Sequence, residues 1–299
     1  MRKSEWGEKM RSAISLVMFM VLCSVTACAQ DMNHNHNAPA ASLGSTESQD
    51  WAKQRLAKSP RHQEWVKVKN GSREVNSFVV YPENKDKATA VIVIHEIFGM
   101  SDWVQSLTDQ LAEAGYVAIA PDLLSGMGPN GGGTSSLTGN AVGQAIRDLP
   151  PDQVTADLNA VADYISKVPA SNGKIVVTGY CWGGGQSFRY ATNNPRIKAA
   201  FVFYGPAPGG ADGTPDKAAL AKITAPVYGF YAGNDARINA TLPKTIEAMT
   251  ELKKTFEPVT YEGAGHGFMR AGEAPDASEP NKKARDDAWA RWKKILAGI

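Results

Sequence analysis

The chain has 299 residues, 43% hydrophobic and 21% charged, with a formal net charge of +2. That is ordinary globular composition, long enough for one large domain or two small ones. Residues 1–27 hold four of the 32 basic and two of the 30 acidic side chains, leaving 28 against 28, a balance that excludes the electrostatic footprint of a nucleic-acid binder.

The N-terminus reads as a secretory signal over residues 1–27. A basic stretch ends at Lys9-Met10-Arg11, and an apolar run follows from Ala13 to about Val25, short for a transmembrane helix. Two cleavage patterns overlap. Ala27-Cys28-Ala29 is an A-x-A site for cleavage before Gln30, whereas Val25-Thr26-Ala27-Cys28 resembles a bacterial lipobox with Cys28 as the lipidated first residue. The position of Cys28 favours the lipobox. Either route sends the protein to the periplasm or the bacterial envelope. Of three cysteines, Cys23 leaves with the signal and Cys28 is removed or blocked, so Cys181 has no intramolecular partner. A retained single thiol in an oxidising compartment points to a working cysteine or an intermolecular bond.

Residues 28–60 read as a flexible tether followed by a short segment. The tether is polar, and His34 and His36 are solvated tail; Trp51 to about Pro60 is a short helix. The catalytic domain is expected over 61–299. Trp65–Lys69 and Val75–Tyr81 alternate as an antiparallel hairpin, and Ala90–His95 is a β-branched run buried on both faces. A helix over Asp102–Ala114 and a strand over Tyr116–Ala120 follow. Leu124 to about Arg147 is a long Gly-rich connection without a P-loop Lys, placed where binding loops lie. Then come a helix over Asp152–Val168, strands at 174–178, 199–204 and 227–232, a helix over Leu242–Phe256, a strand over Pro258–Glu262, and a helix over Asn281–Leu296. Strands alternating with helices predict an α/β fold, a mostly parallel central sheet with helices on both faces.

Gly179-Tyr180-Cys181-Trp182-Gly183 sits between the strand at 174–178 and a helix start. This is the G-x-S-x-G nucleophile elbow of α/β hydrolases with Cys in the Ser place. Its partners should follow in the order acid, then His, each on a loop after a strand. Asp235 in Gly233-Asn234-Asp235 and His266 in Gly265-His266-Gly267 meet that demand. The loop His95-Glu96-Ile97-Phe98-Gly99 supplies the second oxyanion-hole amide, so the backbone N–H groups of Ile97 and Trp182 are assigned to the hole and Glu96 to the same pocket.

These segments, with Ala120-Pro121-Asp122-Leu123 and Gly265-His266-Gly267-Phe268, resemble the dienelactone hydrolase family of α/β hydrolases. The resemblance implies a triad of Cys181, His266 and Asp235. It implies that Glu96 contacts the resting thiol and shares in its activation, and that Arg270 anchors a substrate carboxylate. A second Arg expected soon after Leu123 is missing from Leu124-Ser125-Gly126-Met127-Gly128, which puts dienelactone itself in doubt as substrate. The expected reaction is hydrolysis of a small ester or lactone through a thioester, with no metal or organic cofactor. The rival readings are a thiol redox sensor using Cys181 and a non-catalytic ligand-binding envelope protein on the same fold.

Overall fold

The computed structural model describes residues 49–299. The expected signal, Cys28, His34, His36 and the spacer as far as residue 48 lie outside the described residues. The described chain begins with α1 (Asp50–Ala57), β1 (Gln63–Asn70), β2 (Arg73–Val80) and β3 (Ala88–Ile94). Next are α2 (Asp102–Glu113), β4 (Val117–Pro121), α3 (Asn140–Arg147), α4 (Pro151–Ile165), β5 (Ser171–Tyr180) and α5 (Trp182–Asn193). The rest runs β6 (Ala200–Phe203), α6 (Lys217–Leu220), β7 (Val227–Ala232), α7 (Ala236–Asn239), α8 (Leu242–Glu251), β8 (Phe256–Tyr261), α9 (Phe268–Ala271) and α10 (Glu279–Leu296).

The eight strands form one sheet in the order β1-β2-β4-β3-β5-β6-β7-β8. The β1–β2 hairpin and the β2–β4 pair are antiparallel, and the other five pairs are parallel. All seven residues of β3 are buried, because a central strand carries helices on both faces. Ile92 and Ile94 join the core formed with Val154, Leu158 and Val161 of α4 and Phe188 of α5. Val91 and Val93 join the opposite core, with Trp103 and Leu107 of α2 and Trp292 and Leu296 of α10. Each such aliphatic side chain contributes about 1.5–3 kcal/mol by leaving water. From β3 the chain steps to β4 on one side and then to β5 on the other. That reversal opens a crevice at the carboxyl ends of β3 and β5, where open α/β sheets bind ligands.

Two segments differ from the sequence reading. The connection 124–147 carries structure of its own: 3₁₀ turns at Pro129–Gly131 and Thr134–Ser136, then α3. Helix α8 stops at Glu251 rather than reaching Phe256. Lys253 turns left-handed (φ 54°), and the Lys254 amide donates back to the Met249 carbonyl at 2.8 Å, a Schellman closure that frees Phe256 to start β8. Ala52 is fully buried, and Ser59 and Arg61 both bind buried Asp109 of α2, at 2.5 and 2.8 Å.

Candidate active site

Strand β5 delivers Cys181 to the crevice in a strained conformation, φ 55° and ψ −117°, immediately before α5. Such a backbone costs about 1–3 kcal/mol and persists only where its surroundings enforce it. The enforcement here is steric. A Cβ at Gly179 would lie 1.8 Å from the Gly183 carbonyl oxygen, and one at Gly183 would lie 2.4 Å from the carbonyl oxygens of both Ile94 and His95. Glycine at both places lets the turn close against the end of β3. The Cys181 amide also donates to Phe203 O at 3.1 Å, tying the turn to β6. Below it, Tyr180, Phe203 and Phe230 face one another across adjacent strands, with ring centroids 4.7 and 4.3 Å apart. The Cys181 thiol is free and half-buried.

Asp235 leaves β7 and caps α7, its Oδ1 accepting from the Ile238 amide at 3.3 Å. His266 leaves β8, and its Nδ1–H donates to Asp235 Oδ2 at 2.5 Å. Burial opposes the imidazolium, but the bond to Asp235 and the neighbouring Cys181 sulfur outweigh it and hold His266 at about 9. Burial likewise pushes Asp235 up, and the bond to His266 outweighs it, so Asp235 titrates below its ordinary value. His266 Nε2 is buried and makes no hydrogen bond of ordinary geometry with the described residues. The edge of the Tyr204 ring packs on His266 with centroids 5.0 Å apart; Tyr204 is fully buried and itself has φ 41°.

The amides of Ile97 and Trp182 donate no hydrogen bond to any described residue, as an oxyanion hole requires. The Trp182 side chain stacks on His95, centroids 5.5 Å apart and planes 15° from parallel.

Glu96 is 2% exposed and is engaged elsewhere than the resemblance implied. Its Oε2 accepts from Arg270 Nε at 2.8 Å, and no hydrogen bond joins it to Cys181. A carboxylate this deep needs a countercharge, and the guanidinium supplies it. Burial opposes the Arg270 charge, but Glu96 raises it. Arg270 lies 5.1 Å over the Phe98 ring, and its Nη groups donate to no described residue. Cys181, His266, Asp235, Glu96, Ile97, Trp182 and Arg270 thus converge on one end of the sheet.

The sequence reading left out Phe98, Tyr204 and the fastening of the Gly-rich connection. Asp122, 6% exposed, accepts from Thr134 N at 2.8 Å, Thr134 Oγ1 at 2.7 Å and Leu124 N at 3.1 Å. Thr134 Oγ1 in turn accepts from Met100 N at 3.1 Å, which ties that connection to the loop bearing Ile97. An Asp directly after a strand-ending proline was the only local signal for this knot.

The model of the dienelactone hydrolase family matches residues 75–299. The chain belongs to the dienelactone hydrolase family. It is 31% identical over 258 residues to a Saccharolobus solfataricus protein whose provisional name is carboxymethylenebutenolidase, covering 76% of this chain and 95% of that one. A Salmonella typhi protein of the same provisional name is 33% identical over 223 residues, covering 73% and 80%. The crystal structure of a provisionally named dienelactone hydrolase from Klebsiella pneumoniae superposes with a TM-score of 0.69 at 27% identity, over 80% of this chain and 99% of that one. A dienelactone hydrolase-like promiscuous phosphotriesterase from metagenomic libraries shares the fold, with a TM-score of 0.67 at 18% identity over 80% and 98%. The chain is therefore an α/β-hydrolase enzyme of the dienelactone hydrolase type.

Proposed function

We propose that this hydrolase cleaves a small carboxylic ester or lactone through a Cys181 thioester. The observation that carries the reading is the free Cys181 on its strained turn, with the His266–Asp235 pair whose imidazole it neighbours and two amides, of Ile97 and Trp182, that donate to no described residue. The Cys181 thiolate attacks the carbonyl carbon, and the oxyanion is held by the Ile97 and Trp182 amides, each worth about 2.7–4 kcal/mol by analogy with a measured hole donor. His266, held at about 9, is protonated at neutral pH and gives its proton to the departing alkoxide. The neutral imidazole then takes a proton from water as hydroxide adds to the thioester. Collapse releases the acid and restores thiolate and imidazolium. Asp235 fixes the imidazole's tautomer and orientation throughout.

Arg270 recognises a carboxylate on the substrate through its unengaged Nη groups. A carboxylate arriving there competes with Glu96 for the guanidinium, and Glu96 released from Arg270 takes the proton of the resting Cys181 thiol, giving the thiolate that attacks. The names of the relatives, carboxymethylenebutenolidases, are those of lactone hydrolases acting on an acid, which agrees with this reading.

The mature protein should hydrolyse an activated aryl ester, lose that activity to iodoacetamide, and show an acyl adduct on Cys181 in a quenched reaction. Unchanged turnover by Cys181→Ala rejects the nucleophile. Export, with Cys28 lipidated and the segment to about residue 50 as tether, belongs to the same proposal and rests on Val25-Thr26-Ala27-Cys28. Mass spectrometry of the mature N-terminus tests it, and an unmodified start at Gln30 excludes the anchor.

A further inference from the structure

The proposed chemistry leaves His95, a buried titratable group at the site, unused. His95 ends the run out of β3 and is wholly buried. Its Nε2 lies 3.4 Å from the backbone N of Leu123, and its Nδ1 lies 2.9 Å from the carbonyl oxygen of Glu96. An amide N–H can only donate, so Nε2 accepts and the ring proton resides on Nδ1, where it donates to the Glu96 carbonyl. Burial pushes the His95 pKa down against the opposing pull of Asp122, which keeps the ring in this neutral form.

The Glu96 carbonyl and the Ile97 N–H belong to the same peptide plane and, in a trans peptide, point in opposite directions. The Gly99 amide donates to that carbonyl as well, at 3.1 Å. Two donors holding the carbonyl therefore set the direction of the Ile97 N–H. The same ring stacks on Trp182, whose amide forms the other half of the hole. A neutral imidazole suits the place because it donates at Nδ1 while accepting at Nε2. Asn reproduces only the near atom and Gln only the far one.

We propose that His95 is a positioning residue: it locks the Glu96–Ile97 peptide so that the Ile97 amide is aimed at the oxyanion before substrate arrives. This rests on the proposed Cys181 acylation and adds to it the residue that sets the hole's geometry.

The test compares His95→Asn, His95→Gln and His95→Leu in the full-length protein, with two reactions of the same thiol. One is pre-steady-state acylation by an activated aryl ester, which builds charge on the carbonyl oxygen. The other is alkylation by iodoacetamide, in which the charge departs on iodide and no oxyanion forms. The Gln and Leu variants should acylate about 10- to 100-fold more slowly, less than the 10²–10³ of losing a hole donor outright, with alkylation within about twofold of wild type. The Asn variant, which keeps the donor to Glu96, should recover at least about half of that loss on a logarithmic scale. Equal acylation by the Asn and Gln variants overturns the proposal, and so does alkylation that falls in step with acylation. The Asn–Gln contrast decides even if the Leu variant does not fold. Turnover surviving Cys181→Ala refutes the acylation reading and this proposal together, whereas an intact Cys181 thioester indifferent to all three substitutions refutes this proposal alone.

Discussion

Asp235→Asn offers the sharpest test of the proposed triad's electrostatics. His266 is held at about 9 against an ordinary 6.5, so the folded protein favours its imidazolium by about 3 kcal/mol. Burial works against that charge, and Asp235 is the first of the groups that overcome it. Asparagine keeps a side chain able to cap α7 but removes the charge, while the burial stays. His266 should therefore fall by about one unit or more, because desolvation is then opposed by Cys181 alone. A histidine raised in the folded state stabilises fully below its unfolded value and loses that contribution as pH rises through the folded one. Asp235 has the opposite sense, stabilising above its ordinary 3.8 and losing the contribution as pH falls through its lowered value. The thermal midpoint of wild type should thus exceed that of the variant most between about pH 5 and 6.5, and the gap should close as pH rises through about 9. The assay is an NMR titration of the imidazole Cε1–H signals, assigned with His266→Gln, run beside the melts. Turnover should drop on the order of 10⁴-fold, the loss seen when a triad imidazole adopts the wrong tautomer. A wild-type His266 titrating near 6.5, or a variant still titrating near 9, would refute the reasoning.

Gly183→Ala places a Cβ 2.4 Å from two carbonyl oxygens at the end of β3, so backbone has to move; we expect about 1–3 kcal/mol of destabilisation in urea unfolding together with loss of esterase activity, and an unchanged midpoint would contradict the steric account. Arg270→Ala leaves Glu96 buried without its countercharge, at a cost of about 3–5 kcal/mol, and should depress kcat/KM for a carboxylate-bearing ester and for its methylated twin alike. Arg270→Lys keeps the charge but not the fork, so it should lose selectively on the acid; equal losses on both substrates would remove Arg270 from carboxylate recognition. Thr134→Val takes one hydroxyl donor from buried Asp122 and one acceptor from the Met100 amide, which should cost about 1–3 kcal/mol of stability, read by urea unfolding; no change would show that the loop is fastened by other groups.

The elbow was legible because its constraint is local. Gly179, Cys181 and Gly183 lie within five residues, and the clashes that demand glycine there act across one turn and the strand end beside it. The strands of the parallel sheet were legible for a related reason: burial on both faces leaves an unbroken apolar run, as in Ala90–Ile94, that needs no knowledge of its neighbours. Asp235 and His266 followed from chain order, since each loop after a strand in this topology opens on the same edge. Family membership rested on these same segments.

Tertiary structure alone decided what those side chains do at rest. Glu96 and Arg270 are 174 positions apart, and only packing shows that the carboxylate is held by the guanidinium rather than facing the thiol alone. His95 reads as a strand-end residue until the end of β4 brings the Leu123 amide to its far nitrogen. The glycine-rich first part of the connection, residues 124–139, lacks hydrophobic periodicity, so its order comes from Asp122 reaching across 12 positions to Thr134, a buried hydrogen-bonded knot rather than a pattern of apolar residues. Local sterics and burial periodicity are written along the chain, and these fixed the fold and the place of Cys181. The pairing of buried charges and the aim of a peptide plane depend on which distant groups arrive beside them, and that is settled only when the sheet has assembled.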